Sequence, residues 1–282
     1  MTALLDDIVE QGTTSLGSFP AAYQQLTRVL ADPNANAEHI AAAIRVDPAL
    51  TARLLGFVNA SHLSGSRRVD SVSHAAMLVG RRQLRDVATA SAVVHMFRGI
   101  PEHLVDMHAF WRHSLAVGLA ASQLGRTAAH QTGPLFVPGL LHDMGALLLF
   151  LVKPEDSRRV LIETENRGVE ARVVEKQVIG IDHTEVGAKL LASWGLPDVA
   201  IAAARYHHEP SLAPEEVRLA ADFVHLADVA VSALQIGNAG ERCAHALDPM
   251  SWIRTGLTPE QAYRALSDLA DEVHDIEAVL ER

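Results

Sequence analysis

The stretch "GLLHDMGALLLF" (residues 139–150) places a histidine and an aspartate side by side in an otherwise apolar run. Burial of either group without a partner is costly, so the pair needs a local hydrogen bond or a metal ion. Adjacent residues of a helix project about 100° apart. His142 and Asp143 can therefore hold an ion on the flank of a helix, while the aspartate reaches a second ion. Gly145 lacks a side chain and allows another helix to approach closely.

The composition of the chain predicts an all-α fold. Hydrophobic residues make up 49% of the 282 residues, but aromatic residues only 5%. Ala and Leu supply most of the apolar bulk, which favours helices over the β-branched and aromatic runs typical of sheets. The length suits one large domain or two domains of ordinary size.

Charge and cysteine content exclude several classes of protein. The net charge of −10 disfavours general binding to nucleic acids or membrane surfaces, which need a basic face. The basic pairs in "SRRVD" (66–70) and "GRRQLRD" (80–86) are interpreted as solvated helix faces, with an anionic partner as the alternative. A single cysteine, Cys243, excludes an internal disulfide and a thiolate metal site. The acidic N-terminus and the lack of a long uncharged apolar run predict a cytoplasmic protein.

The periodicity divides the chain into three predicted parts. Residues 1–100 are predicted to form an N-terminal bundle of five or six helices, in which histidines are scattered singly. Residues 101–236 hold a metal-site subdomain, and residues 237–282 form a C-terminal helical extension. Within the extension, residues 237–260 are expected to be rich in loops and residues 258–282 to form one capped, acidic helix.

Histidines and aspartates of the second half recur in apolar helical segments or at helix ends. Considered singly, each of these histidines is best explained as a core residue with a hydrogen-bond partner. Considered together, the histidines and aspartates favour a shared metal ion, which imidazole and carboxylate groups bind well. Asp182 is the predicted N-cap of a helix that begins with an inward-facing His183, and Pro210 ends the segment that holds "YHHEP". The predicted metal ligands are His113, His142, Asp143, His183, His207, His208 and Asp228.

The order of these residues resembles the HD superfamily of metal-dependent phosphohydrolases, and more closely the HDOD (HD-related output) domain of bacterial signalling proteins. The resemblance spans roughly residues 19–230, which is most of the chain, and its motifs occur in the expected order. It rests on "DPALTARLLGFVNAS" (47–61), "VDSVSHAAMLVGRRQLRDV" (69–87), "FWRHS" (110–114), "GLLHDMG" (139–145), "GIDHTEVGAKLLASWGLP" (180–197) and "YHHEP" (206–210).

The resemblance implies a helical N-terminal subdomain packed on an HD-type helical core. It also implies one or two divalent transition-metal ions, with iron or manganese favoured and zinc or nickel as alternatives. The seven residues match the metal ligands of the related HD-GYP proteins, which cleave cyclic di-GMP. HDOD proteins act in signal transduction, beside cyclic-dinucleotide or two-component modules.

The sequence departs from the HD-GYP pattern at the groups that grip phosphate. Ala109 stands where that pattern has a glutamate, and Ala146 stands in place of the lysine that contacts phosphate. Val231 replaces the second acid of the final motif, and "PSLAPEE" replaces the GYP signature. These departures favour a non-catalytic signalling module that binds a protein partner or a nucleotide second messenger. The alternatives are a metal-dependent phosphodiesterase acting on a (cyclic di-)nucleotide and a structural scaffold with core histidines.

Overall fold

The computed structural model describes most of the chain from residue 99 onward and the first helix. The described residues are 2–16, 28–29, 32, 34–45, 51, 55, 69, 71–78, 80, 84, 89, 93, 96–97, 99–128, 134–240 and 246–280. The structure is 75% helical, and no strand occurs among these residues. The predicted all-α class is therefore confirmed. No helix in the described part is long and apolar enough to cross a membrane.

The chain forms two compact units. The larger unit comprises Met1–Leu16 and Phe97–Leu269, and the smaller unit comprises Gly17–Met96 and Ala270–Arg282. The first boundary predicted, at residue 100, lies close to the one at Phe97. The structure differs from the prediction at both ends, because the first helix and residues 237–269 belong to the larger unit. Most of residues 17–96, where the predicted N-terminal bundle lies, falls outside the described residues.

The larger unit contains the helices that carry the candidate site. Its helices are α1 (Thr2–Leu16), α3 (Met107–Thr127), α4 (Phe136–Leu140), α5 (Met144–Val152), α6 (Pro154–Arg167), α7 (Ala171–Val178), α8 (His183–Ser193), α9 (Asp198–Tyr206), a 3₁₀ turn (Pro210–Leu212), α10 (Glu215–Ala233), α11 (Pro249–Thr255) and α12 (Pro259–Leu266). The smaller unit includes α2 (Ala37–Arg45) and most of α13 (Leu269–Leu280), and residues 72–78 are also helical.

Helix α5 lies at the centre of the larger unit. Every residue from Met144 to Phe150 is buried, as expected of a helix that is apolar on all faces. Helix α5 contacts α1, α6 and α8, while α10 contacts α3, α4 and α9. This arrangement brings α3, α5, α8, α9 and α10 together around the "HD" pair.

The "HD" pair lies in a turn, which corrects the prediction that both residues belong to one helix. Leu141, His142 and Asp143 form a turn that separates α4 from α5. An unbroken apolar run cannot reveal this turn, because its hydrophobicity is the same on both sides. The turn releases the two side chains from helical spacing, so that both point toward the same buried volume.

Gly145 permits the close contact of helices that the sequence predicts. A Cβ atom at Gly145 would lie 1.9 Å from the carbonyl oxygen of His183 and 2.5 Å from the backbone nitrogen of Gly187. Only a residue without a side chain fits there, so the backbones of α5 and α8 touch. This contact places the start of α8 against the "HD" turn.

Helix ends in the C-terminal region differ in part from the prediction. Residues 237–260 are not only loop, because Asp248 caps α11 and Pro249 occupies its first turn. The single helix predicted over 258–282 is two helices, α12 and α13, separated at Ser267 and Asp268. Ser and Asp favour turns and caps over helix interiors, which accounts for the break. The predicted cap is present as a reciprocal capping box between Thr258 and Gln261.

Candidate metal centre

Five different elements of the larger unit supply the predicted ligands. They come from α3, the turn before α5, the first residue of α8, the two residues after α9, and α10. All are buried except His208, which is partly exposed. The structure brings all seven together: His113, His142, Asp143, His183, His207, His208 and Asp228.

One half of the cluster is built around His113 and His142. The Nε2 atom of His113 lies 3.1 Å from Oδ1 of Asp228, and Nε2 of His142 lies 3.9 Å from the same oxygen. Ligand atoms of His113, His142 and Asp143 all lie within 4.8 Å of one another. This spacing suits three groups that surround one ion.

The other half is built around three histidines. The Nε2 atoms of His183 and His208 are 3.0 Å apart, and ligand atoms of His183, His207 and His208 all lie within 4.8 Å of one another. The rings of His207 and His208 have centroids only 4.1 Å apart. The two halves thus offer two adjacent positions for a cation.

Asp143 connects the two halves through its two carboxylate oxygens. Oδ2 lies 3.1 Å from Nε2 of His142, whereas Oδ1 lies 3.4 Å from Nε2 of His207 and 3.6 Å from Nε2 of His183. Each oxygen therefore faces a different group of histidines. A carboxylate in this position can bridge two metal ions.

Backbone carbonyls fix the orientation of two imidazole rings. His142 Nδ1 donates to the Gly139 carbonyl at 2.7 Å, and His207 Nδ1 donates to the carbonyls of Ala203 and Ala204 at 3.1 Å each. A carbonyl can only accept, so Nδ1 carries the hydrogen and Nε2 of the neutral ring is left with its lone pair. Both Nε2 atoms are buried and face the carboxylate of Asp143, at 3.1 Å for His142 and 3.4 Å for His207. A lone pair opposite a carboxylate calls for a cation between them, and the donor set fits a transition metal.

The pKa shifts within the cluster also indicate that it favours a positive charge. Burial lowers the pKa of His142, but the charge and hydrogen bond of Asp143 and the charge of Asp228 outweigh it and raise that pKa to about 9. Burial raises the pKa of Asp143, yet His142 and His207 hold it well below its usual range. The pKa of His207 is lowered, because burial outweighs the attraction of Asp143. The cluster thus retains a proton where a metal ion would supply the charge.

Glu175 is a member of the site that sequence reasoning missed. Its Oε2 lies 2.8 Å from Nδ1 of His183 and accepts a hydrogen bond of 2.8 Å from the His183 backbone N–H. The side chain is buried on α7, beside Val174. A carboxylate behind a ligating histidine orients the ring and raises its basicity. The only sequence signal was a glutamate on the apolar face of an amphipathic helix.

His225 also escaped the sequence analysis and lies behind His207. Its Nδ1 donates to the His207 carbonyl at 2.6 Å, and its Nε2 accepts from the backbone N–H of Asp248 at 2.8 Å. Next to it, Arg254 forms two hydrogen bonds with Asp222, of 2.8 and 2.6 Å. The two bonds of His225 link the start of α11 to the end of α9, where two predicted ligands lie, and the Arg254 bonds link α11 to α10.

A cavity of about 520 Å³ opens onto the cluster. Its lining includes the predicted ligands His113, Asp143, His183 and His208, together with Glu175. Ala146, at the position of the HD-GYP lysine, also lines it. Lys189 and Arg205 are not in the lining and have other partners: Lys189 contacts Asp6 at 2.9 Å, and Arg205 donates to Thr184 at 2.8 Å.

The fold and the cluster define an all-helical protein with a buried histidine–aspartate centre. Comparison with known families gives its family: the HDOD domain model matches residues 16–210, and the chain belongs to the HDOD family. A curated protein of Treponema pallidum (strain Nichols), named only "Uncharacterized protein", is 25% identical over 201 residues. The match covers 71% of this chain and 39% of that protein, so the chain spans well under half the length of this relative.

Solved structures share the fold at low identity. The HDOD domain protein of unknown function from Geobacter sulfurreducens has a TM-score of 0.76 at 23% identity, covering 98% of this chain and 97% of that one. A "Putative phosphohydrolase" from Shewanella amazonensis SB2B has a TM-score of 0.77 at 22% identity, covering 97% and 98%. A "Putative signal transduction protein" from Marinobacter aquaeolei VT8 has a TM-score of 0.76 at 21% identity, covering 100% and 66%.

Proposed function

We propose that this chain is an HDOD regulatory module whose larger unit holds two divalent transition-metal ions and which binds a protein partner or a nucleotide second messenger. The observation that carries the proposal is the position of Asp143, whose two oxygens face two separate groups of histidines. His113, His142 and Asp228 would hold one ion, and His183, His207 and His208 the other. Iron or manganese is favoured by the resemblance, and zinc or nickel also suits nitrogen and oxygen donors.

Binding without hydrolysis is favoured by what surrounds the cluster. Hydrolysis of a phosphodiester needs a metal-activated water and compensation of the charge on the phosphate. Ala146 supplies no charge to the cavity, and Arg205 and Lys189 are engaged elsewhere. Loss of one group that stabilises charge in the transition state costs about 10²–10³ in rate.

The second candidate is a metal-dependent phosphohydrolase. The bridging position of Asp143 favours it, because two-metal hydrolases hold both ions at such a carboxylate. Bound metals would supply the activated water in this case. The chain's own residues would then have to bind phosphate without the lysine of the HD-GYP pattern.

Metal analysis of the purified full chain tests the proposal. We expect about two equivalents of Fe, Mn, Zn or Ni per chain in the wild type, the number that a bridged pair of sites holds. The double variant His142→Ala/Asp143→Asn should lose most of this metal. His103→Ala, which removes an exposed histidine outside the cluster, should retain it. If none of the three proteins contains metal, the alternative of a structural scaffold with core histidines would be favoured.

Activity assays separate the two candidates. The metal-loaded chain is incubated with cyclic di-GMP and with bis(4-nitrophenyl) phosphate, and products are followed by chromatography and absorbance. We expect no turnover above that of the double variant. Turnover that disappears in Asp143→Asn would establish the phosphohydrolase instead.

A further inference from the structure

The cavity beside the cluster has a chemical character that phosphate recognition does not explain. One of its walls consists of carbon side chains from α5, α6 and α7 in the larger unit. The residues of this wall are Ala146, Phe150, Val160, Leu161 and Ala171. Cavities of roughly 300–1,000 Å³ with apolar walls and a few polar groups typically bind small organic ligands. The cavity volume of about 520 Å³ lies within that range.

A second wall of the cavity carries polar, uncharged side chains. It is formed by the end of α10 and the following loop, with Ser232, Gln235 and Asn238 in the lining. Gln235 has a φ of 55°, a left-handed conformation that side chains other than glycine rarely adopt. This residue closes the end of α10, where the backbone N–H of Ile236 donates to the Val231 carbonyl at 3.2 Å, as in a common type of helix C-terminus.

The polar wall is held firmly against the metal cluster. The backbone N–H of Asn238 donates to the Ala109 carbonyl at 2.9 Å, and the Asn238 side chain accepts from Gly240 N–H at 2.6 Å. A Cβ atom at Gly237 would lie 2.3 Å from the backbone nitrogen of His113. The loop is therefore a built part of the cavity and is fixed to the helix that carries His113.

The charged groups that face the cavity disfavour a phosphate ester. Apart from the histidines, the charged side chains in its lining are the acids Asp143 and Glu175, and no Lys or Arg occurs among the described residues that line it. A phosphate with two negative charges would depend on the metals alone. A carboxylate brings one negative charge and oxygen donors to the metals, and an apolar body suits the carbon wall.

We infer that this cavity binds small monocarboxylates with an apolar body. The carboxylate contacts the metal centre, and the body lies against Phe150 and Leu161. Gln235 and Asn238 supply neutral hydrogen-bonding groups at the other wall. This inference rests on the proposed metal site and assigns this cavity to a ligand other than the nucleotide second messenger.

A series of chain lengths tests the inference on the wild-type chain loaded with manganese. Acetate, hexanoate and n-hexyl phosphate are titrated calorimetrically after the metal content has been measured. Each buried methylene contributes about fourfold in affinity, so hexanoate should bind at least ~10-fold more tightly than acetate. Hexanoate should also bind more tightly than n-hexyl phosphate. Equal affinities for acetate and hexanoate, or a preference for the phosphate, would overturn the inference.

Two neighbouring residues of α6 provide matched variants. Leu161→Gln places an amide in the apolar wall and should reduce the preference for hexanoate over acetate to less than ~3-fold. Ile162→Gln makes the same change at a side chain that is 48% exposed and should leave the preference unchanged. An equal preference in both variants would contradict the assigned wall. Bound metal with no dependence on chain length would refute this inference alone, whereas failure to bind metal would refute the proposed site and this inference together.

Discussion

The histidines of the cluster depend on different neighbours to hold their rings. His142 and His207 donate to backbone carbonyls, whereas His183 faces the carboxylate of Glu175. Either partner fixes the tautomer and raises the basicity of the ring, and the full negative charge of a carboxylate has the larger effect on basicity. Glu175 therefore lies outside the predicted ligand set but places a negative charge directly behind a predicted ligand.

Replacement of Glu175 by glutamine should weaken metal binding without unfolding the chain. Glutamine keeps the size and an acceptor oxygen but removes the charge behind His183. Groups in this position typically change metal affinity by about 10–100-fold, which competition with a coloured chelator measures. Glu102→Gln, at an exposed turn residue, is the control. Equal affinities in both variants would mean that Glu175 does not support a metal ligand.

The contact between Gly145 and the start of α8 predicts a graded effect of added methyl groups. Gly145→Ala would bring a Cβ atom to 1.9 Å from the His183 carbonyl, so α5 and α8 must move apart. Overpacking of a core costs about 1–3 kcal/mol of unfolding free energy, occasionally more. Gly187→Ala, whose nearest contact would be 3.1 Å, should cost clearly less. Urea unfolding measures both, and the reverse order would contradict the described contact.

The capped ends of helices determine where several side chains of the site lie. Asp182 caps α8 by accepting from Glu185 N–H at 3.0 Å, and this cap makes His183 the first residue of the helix. Asp248 caps α11 in the same way and accepts from Met250 N–H at 2.9 Å. The backbone N–H of Asp248 in turn donates to His225, so the start of α11 is joined to the end of α9.

The charge of Asp248 should stabilise the chain only above acidic pH. Slight burial raises its pKa, but hydrogen bonds from Ser211 and Met250 N–H and the charge of Arg254 lower it below the ordinary value of 3.8. A lowered folded-state pKa adds stability above the unfolded pKa, and this contribution is lost as pH falls through the folded pKa. Asp248→Asn keeps a good N-cap and removes the charge.

Urea unfolding of the metal-free wild type and Asp248→Asn between pH 2.5 and 6, roughly the span over which the carboxylate titrates, measures this effect. We expect a difference of about 0.3–1 kcal/mol at pH 6, the usual size for a charge at a helix N-terminus. The difference should disappear toward pH 2.5. A difference that is constant with pH would assign the effect to the cap geometry rather than to the charge.

The sequence predicts some of these elements well and others not at all. The start of α8 could be read from Asp182 and Glu185, because cap chemistry is local. The turn at His142 could not, because the apolar residues on either side give no change of period. The two hydrogen bonds of His225 join it to His207 and Asp248. Residues so far apart along the chain leave no local sequence pattern that could reveal such bonds. Glu175 was missed for the same reason, since only the fold brings α7 to His183.

The cluster brings residues from segments that are far apart along the chain into contact. Its members span residues 113 to 228 and come from α3, α8, α10, the turn before α5 and the two residues after α9, all in the larger unit. Without metal, the unit must hold buried carboxylates and imidazoles close together with only protons between them. A metal ion bound there stabilises the folded state, because the unfolded chain does not hold these groups together.

Metal removal should therefore lower the melting temperature of the chain in a concentration-dependent way. Free metal at 100 times its dissociation constant adds about 2.7 kcal/mol to the free energy of unfolding. Calorimetric scans of chelator-treated protein with increasing Mn²⁺ should show a melting temperature that rises steadily with the logarithm of the free metal concentration. The variant His142→Ala/Asp143→Asn should show little rise over the same range, and His103→Ala should follow the wild type. A rise of equal size in all three proteins would locate the metal outside the cluster, because a ligand that stabilises through these side chains cannot act when two of them are gone.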